Sequence, residues 1–370
     1  MKSEYTSSIA LPDYPLWEKV AGRRIPLSFE LELTARCNNN CRHCYINLPA
    51  DDREAQSHEL SLEEISGLAD QAVRLGALWV LLTGGEPMLR PDFSDIYLEL
   101  KGKGLLVSVF TNACLINKNV IRLFRQYPPR DLEVTVYGVT EETYEKISRT
   151  PGSYRAFRRG LDLLLDNQIK VRLKAMALRS NIDEFQAIAR FCRSKTADFF
   201  RFDPLLHLRF DGDQEGNAHI REERLSPEET AHLERSDPER FSALKLECRR
   251  AETLPPIPAD WRRIFSCGAG QDGFCISHEG RFQICSALRH PECVYDLRRG
   301  TLEEAWTQLL PRVLSMTSND PEFVSHCRSC TLFDLCLWCP AHAYLETGRM
   351  DGWVEAFCQT AKARYSAGRS

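Results

Sequence analysis

The residues best placed to do chemistry in this chain are its cysteines. Fifteen occur in 370 residues, three at positions 37–44 and nine between 267 and 358. The first field is Cys37-Asn38-Asn39-Asn40-Cys41-Arg42-His43-Cys44, three thiols at C-x3-C-x2-C spacing. It follows an alternating run, Leu27–Leu33, that reads as a strand. Three thiolates on one short loop can hold three irons of a [4Fe–4S] cube and leave the fourth iron open. An open iron on a redox cluster is a place where a small molecule can bind and take an electron. The alternative is a zinc loop with His43 as fourth ligand, although His43 and the adjoining Cys44 do not easily point at one ion. A second chemical segment, Thr83-Gly84-Gly85-Glu86-Pro87, closes the apolar run Leu78–Leu82, which has the character of a buried strand. Two glycines let the backbone approach a ligand closely, and Glu86 offers an acceptor for an ammonium group. Taken alone, this segment also reads as an ordinary strand-end turn.

Together, the cysteine loop and the Gly-Gly-Glu-Pro turn roughly 40 residues later resemble the two signatures of the radical S-adenosylmethionine (SAM) enzymes. The resemblance implies that the open iron chelates the amino and carboxylate groups of SAM. Reductive cleavage then gives methionine and a 5′-deoxyadenosyl radical, which abstracts a hydrogen atom. The residue before the last cysteine is usually aromatic in that family, and His43 fits as a flat ring. Gly84, Gly85, Glu86 and Pro87 would hold the SAM amino group. Thr111-Asn112 stands where related enzymes carry a Thr-Asn-Gly turn near SAM. Arg149, ahead of Thr150-Pro151-Gly152-Ser153-Tyr154, resembles an arginine that pairs with the SAM carboxylate through a bidentate fork; the other reading is a surface arginine before a helix cap. Tyr137-Gly138 replaces a common Ser-Leu-Asp-Gly strand end, which leaves a ribose contact there open. Lys174 and Met176 lie near another strand end, where either is a candidate to face the adenosine.

The second cysteine field runs Cys267, Gly280-x4-Cys285, Cys327-x2-Cys330-x5-Cys336-x2-Cys339 and Cys358. It resembles the SPASM extension of radical SAM enzymes, a C-terminal domain that holds two auxiliary iron–sulfur clusters. The last pair is spaced x2 here where x3 is usual. By resemblance, Cys327, Cys330, Cys336 and Cys358 close one [4Fe–4S] cluster, and Cys267, Cys285 and Cys339 hold the other. Cys275 is the candidate fourth ligand, and Cys293 a weaker one. If neither binds, that cluster has an open iron; the alternative for Cys275 is a core strand thiol. Zinc competes for the two C-x2-C pairs. Cys114, Cys192 and Cys248 stand apart and read as buried thiols.

The elements that position these residues alternate strand and helix. Strands are predicted at 27–33, 78–83, 105–110, 132–136, 171–178 and 199–206. Helices are predicted after the capping box Ser61-Leu62-Glu63-Glu64, at about 92–102, 117–126 and 154–167, and after Asn181. Six βα-like units imply a parallel sheet, and the resemblance implies an α/β fold: a partial (β/α)6 TIM-like barrel with its site at the C-terminal strand ends. We divide the chain into a lead-in (1–26), the barrel (27–210), a charged helical linker with a solvated face (211–262), and a small cysteine-rich SPASM domain with a β-hairpin and helices (263–370). Net charge is −4, with 48 basic and 52 acidic residues, so neither a nucleic-acid stripe nor a membrane surface is indicated. No apolar run approaches ~18 residues, and the N-terminus lacks a signal-peptide core. A cytoplasmic location follows, where many cysteines argue for metal rather than disulfides.

The expected activity is hydrogen-atom abstraction with auxiliary clusters that accept an electron back. SPASM relatives mostly modify ribosomal peptides or proteins by cross-linking, thioether formation, epimerisation or oxidation. Ser286 follows Cys285 where sulfatase-maturing relatives carry a catalytic aspartate, which disfavours that activity. No peptide-recognition domain is expected ahead of residue 27, so a leader peptide would need a separate carrier or direct binding. The alternatives are radical tailoring of a cofactor such as a tetrapyrrole, and a non-catalytic iron–sulfur redox sensor. A flavodoxin or ferredoxin donor is implied by the resemblance, and the sequence shows no docking site for it.

Overall fold

In the computed structural model, which describes residues 16–20, 22–198, 200–253 and 262–369, the alternating pattern builds the expected parallel sheet. The expectations for residues 1–15, for Phe199 and for the proline-rich run 254–258 lie outside the described residues. After the short helix α1 (Leu16–Val20), β1 (Ser28–Thr34) leads into the cysteine loop, where β2 (Arg36–Cys37) and β3 (Leu48–Pro49) pair in parallel. Helices α2 (Arg53–His58) and α3 (Leu62–Leu75) lead to β4 (Trp79–Gly84). The capping box is present: Ser61 Oγ accepts from Glu64 N, and the Glu64 carboxylate accepts from Ser61 N. The remaining barrel strands are β5 (Leu106–Thr111), β6 (Leu132–Thr135), β7 (Arg172–Met176) and β8 (Arg201–Asp203). They follow α4 (Phe93–Gly102), α5 (Lys118–Gln126), the pair α6 (Glu141–Ser148) and α7 (Ser153–Asp166), and α8 (Phe185–Lys195). The order β1-β4-β5-β6-β7-β8 is parallel throughout. Side chains from the C-terminal ends of β4 to β8 line one cavity with the cysteine loop, as in an open barrel.

Period-2 alternation sorts β1. Phe29, Leu31 and Leu33 join the apolar core with Val80, Leu82, Val107 and Val109, while Glu30 and Glu32 point to the opposite face. Each fully buried residue of this kind contributes about 1.5–3 kcal/mol. Asn181 does not cap a helix through its side chain. Its Oδ1 accepts from Leu178 N and its Nδ2 donates to Tyr137 O and Met176 O, so it ties two strand ends together.

The expected C-terminal hairpin forms as β9 (Gly273–Ile276) and β10 (Arg281–Gln283), with Gly280 in the left-handed region at φ 80°. It does not stand apart from the barrel. β9 pairs in parallel with the free edge of β1, from Ser28↔Gly273 to Leu31↔Ile276. With β11 (Val294–Asp296) the sheet has nine strands, in the order β11-β10-β9-β1-β4-β5-β6-β7-β8. This register fixes the hairpin against the strand that carries the cysteine loop.

The charged linker is a correction. Its helices α9 (Gln214–Glu223), α10 (Pro227–Ser236) and α11 (Pro238–Thr253) are not merely solvated. Glu223 and Glu234 are buried. Glu223 accepts from Arg42 Nε at 2.7 Å, bracing the cysteine loop. Glu234 accepts from Arg364 Nε at 2.7 Å. Next come α12 (Leu302–Glu304), α13 (Leu310–Leu314) and α14 (Pro340–Thr347), which starts directly after Cys339. Arg364 and Cys358 are both carried by the last helix, α15 (Glu355–Arg369). No helix among the described residues is long and apolar enough to cross a membrane.

Candidate active site

The cysteine loop is pinned from several sides. Arg36 is buried, and its Nε donates to Glu59 Oε1 at 2.8 Å while its Nη1 donates to Ala50 O at 2.8 Å. Asn40 N and Arg42 N donate to Ser148 O and Ile147 O at the end of α6. Arg209 Nη1 donates to Asn47 Oδ1 at 2.8 Å. A loop held this way presents its thiols at fixed positions before any ligand arrives.

Cys37, Cys41 and Cys44 open onto a cavity of about 300 Å³. Thr83, Gly84, Gly85, Thr111, Asn112 and His43 line it. Lys174 and Met176 both line it. Burial raises all three thiols above the usual thiol range; iron supplies the positive charge that favours the thiolate form. Asn39 N lies 3.4 Å and Asn112 Nδ2 3.7 Å from Cys37 Sγ, as donors to a thiolate would. His43 packs edge-on against Tyr137 at 5.2 Å, and burial holds its pKa down at about 4, so the ring is neutral. Its buried Nδ1 has no hydrogen-bond partner among the described residues. A three-thiol donor set, amide donors aimed at sulfur and an unpartnered ring nitrogen fit a [4Fe–4S] cluster with a polar, adenosine-bearing ligand.

Three expected contacts are placed differently. Glu86 is fully buried and is not among the cavity-lining residues. Its carboxylate accepts from Thr111 Oγ1 at 2.8 Å, Asn112 N at 2.8 Å and Met88 N at 3.2 Å. It therefore joins the β4 and β5 ends. The glycines also let the cysteine loop approach closely. A Cβ on Gly84 would meet Thr34 O at 2.3 Å, and one on Gly85 would meet Arg36 O at 2.2 Å. Gly85 N and Glu86 N donate to those same two carbonyls. Pro87 is buried and opens a 3₁₀ turn, away from the lining. Arg149 is also outside the cavity lining: it adopts a left-handed φ of 52° at the end of α6, and its Nη1 lies 3.1 Å from His219 Nδ1 on α9.

Other cavity residues were missed. Tyr45, Thr135, Asp203 and His207 line it; the ends of β6 and β8 were the available signal. Cys114 is not isolated: it is buried beside the loop, with Asn39 Nδ2 3.9 Å from its sulfur.

In the second field the thiols influence one another electrostatically in two sets. Burial pushes Cys327 up to about 12, and neighbouring Cys358, Cys336 and Cys330 add to the effect. Burial likewise raises Cys285 to about 11, with Cys339 and Cys267 beside it. Cys275 is fully buried on β9 opposite Glu30 and adjoins Cys285. Cys293 is also fully buried, with its sulfur 3.6 Å from Met350 Sδ. A ring path links the two fields. Tyr45, next to Cys44, packs on His207 at 5.5 Å, and His207 Nε2 lies 3.0 Å from Nε2 of His342. The backbone N of His342 donates to Cys339 Sγ at 3.4 Å.

Comparison with known proteins agrees with this geometry. Residues 31–192 match the family model for the Radical SAM superfamily. The chain is 23% identical over 339 residues to an AdoMet-dependent heme synthase of Methanosarcina barkeri, covering 89% of this chain and 95% of that protein. It is 25% identical over 313 residues to the Bacillus subtilis antilisterial bacteriocin subtilosin biosynthesis protein AlbA, covering 82% of this chain and 64% of AlbA. Among solved structures, Streptococcus suis SuiB bound to precursor peptide SuiA shares the fold, with a TM-score of 0.68 at 15% identity over 97% of this chain and 84% of SuiB.

Proposed function

For a chain whose residues 31–192 are a radical SAM domain, we propose an enzyme that oxidatively modifies a ribosomal peptide or protein through hydrogen-atom abstraction. A [4Fe–4S] cluster with SAM bound to it supplies one-electron cleavage of SAM to a 5′-deoxyadenosyl radical. Cys37, Cys41 and Cys44 would hold that cluster, and His43, Thr111, Asn112 and the Thr83–Gly85 backbone would seat SAM. Neutral His43 adds no charge beside the adenosine. Lys174, whose Nζ donates to Glu133 at 2.6 Å and lies 3.8 Å over the Phe110 ring, closes one wall. Phe110 and Met176 give the cavity apolar surface, which would limit side reactions with water.

The single observation that carries the oxidative reading is the mutual electrostatic influence of the Cys267, Cys285 and Cys339 thiols. An auxiliary cluster there, with Cys275 as its candidate fourth ligand, gives the barrel site an electron acceptor. Cys327, Cys330, Cys336 and Cys358 would hold a second. The likeness to AlbA and to peptide-bound SuiB supports a peptide substrate. A second reading, oxidation of a tetrapyrrole side chain, is favoured by the near full-length match to a heme synthase. The test is 5′-deoxyadenosine release by reconstituted protein offered either a cysteine-rich precursor peptide or iron coproporphyrin III. Substrate-stimulated release with the peptide supports the first reading, and stimulation by the porphyrin alone overturns it.

A further inference from the structure

The outer wall of the barrel carries a groove of about 610 Å³ between α5 and α7, lined by Lys118, Arg122, Arg125, Gln126, Leu163 and Asn167 together with Ile121. The three cations stand at i, i+4 and i+7, on one face of α5. Arg159 lies one turn along α7 from Leu163. No carboxylate lines the groove, and among the described residues none of these four cations forms an ion pair within 4.0 Å.

Nothing in the fold calls for this charge. All four side chains are exposed. Lys118 opens α5, where the helix dipole favours an acid, and the first turn has none. The chain as a whole is net −4, so four unpaired cations here run against its composition. Such a patch raises the encounter rate and affinity for an acidic partner.

The location adds a second argument. The groove lies behind the loop that touches the Cys37 thiol. α7 packs so closely there that a Cβ on Gly160, three residues before Leu163, would meet Ala113 O at 1.9 Å. The adjoining Asn112 donates toward Cys37 Sγ at 3.7 Å. A short chain of packed atoms therefore joins the groove wall to the first cysteine.

We propose that this groove docks an acidic one-electron-carrier protein, which reduces the cluster held by Cys37, Cys41 and Cys44. This rests on the radical SAM reading above. One electron leaves the carrier and enters the cluster; the carrier is oxidised by one electron, the cluster is reduced by one, and no bond or proton changes hands.

The test uses reconstituted holoprotein, a reduced acidic flavodoxin and, as a small reductant, dithionite. Flavodoxin affinity of the native protein should weaken as salt screens the contact. Lys118→Gln/Arg122→Gln/Arg125→Gln should weaken binding about tenfold, and the corresponding triple Glu variant more. The rate of cluster bleaching by flavodoxin should fall in step, while dithionite-driven bleaching and 5′-deoxyadenosine release stay within about twofold. Unchanged flavodoxin binding in the Gln variant overturns the proposal, as does salt-independent binding or uptake of anionic vesicles in place of flavodoxin. Should the Glu variant fail to fold, the Gln variant carries the test. Absence of 5′-deoxyadenosine from native protein with dithionite would sink the radical SAM reading instead, and the binding measurement would still stand.

Discussion

The barrel's three thiols sit within eight consecutive residues, whereas the seven thiols of the C-terminal field come from segments as far apart as Cys267 and Cys358. The first set is made by local spacing, opens onto a ligand-sized cavity and is held by Arg36, Arg42 and Arg209. The second set comes from separate segments of the fold: Cys285 follows β10, Cys327–Cys339 lies ahead of α14, and α15 supplies Cys358. The first arrangement suits binding and cleaving a molecule. The second, linked to it by the Tyr45–His207–His342 path, suits moving charge. Losing one region should stop chemistry, and losing the other should redirect it.

The largest effect follows from removing the first set. Cys37→Ala/Cys41→Ala/Cys44→Ala should lower 5′-deoxyadenosine formation at least ~1000-fold, measured by chromatography after anaerobic reconstitution. Cys330→Ala/Cys336→Ala should spare that cleavage to within about threefold and cut the oxidised product at least ~30-fold, as read by mass spectrometry. Equal loss of both would erase the distinction between the regions.

Stability measurements sharpen the contrast within the barrel. Burial lifts the Glu86 carboxyl from 4.5 to about 7. A raised acid stabilises the fold fully below the unfolded value, and that contribution is lost as pH climbs from about 4.5 to 7. Relative to Glu86→Gln, the apoprotein should lose roughly 3 kcal/mol across that window in denaturant titrations; a pH-independent difference would contradict the burial argument. Gly85→Ala should cost about 1–3 kcal/mol, because its Cβ meets a backbone carbonyl that cannot swing away. The smallest change is expected from His43→Phe. A flat ring remains, so SAM affinity by equilibrium dialysis should shift less than about threefold; a larger loss would give the unpartnered Nδ1 a direct role.

The sequence already showed the barrel strands and the cysteine loop, because period-2 alternation and short-range spacing are local. It also indicated the Ser61 capping box, which forms. It did not show that Glu86 ties the β4 and β5 ends or that the two glycines abut the cysteine loop, since which side of a turn meets its neighbour depends on the strand register. Arg149 was misplaced for a related reason: a left-handed residue ending α6 redirects its side chain toward α9. The pairing of β9 with β1 joins residues some 240 positions apart, and no local pattern signals such a contact. His207 and His342 were missed likewise, as isolated histidines whose meaning arises only when the fold sets them 3.0 Å apart.

The central claim is that the two thiol fields hold separate clusters with separate jobs. Its most direct test is iron and acid-labile sulfide per chain after anaerobic reconstitution, for the native protein and for Cys37→Ala/Cys41→Ala/Cys44→Ala. Three cubane clusters predict ~12 irons per chain, falling to ~8 in the triple variant. About 4 irons with stoichiometric zinc in the native protein would contradict the account, because the C-terminal field would then be a structural metal site with no electron to accept.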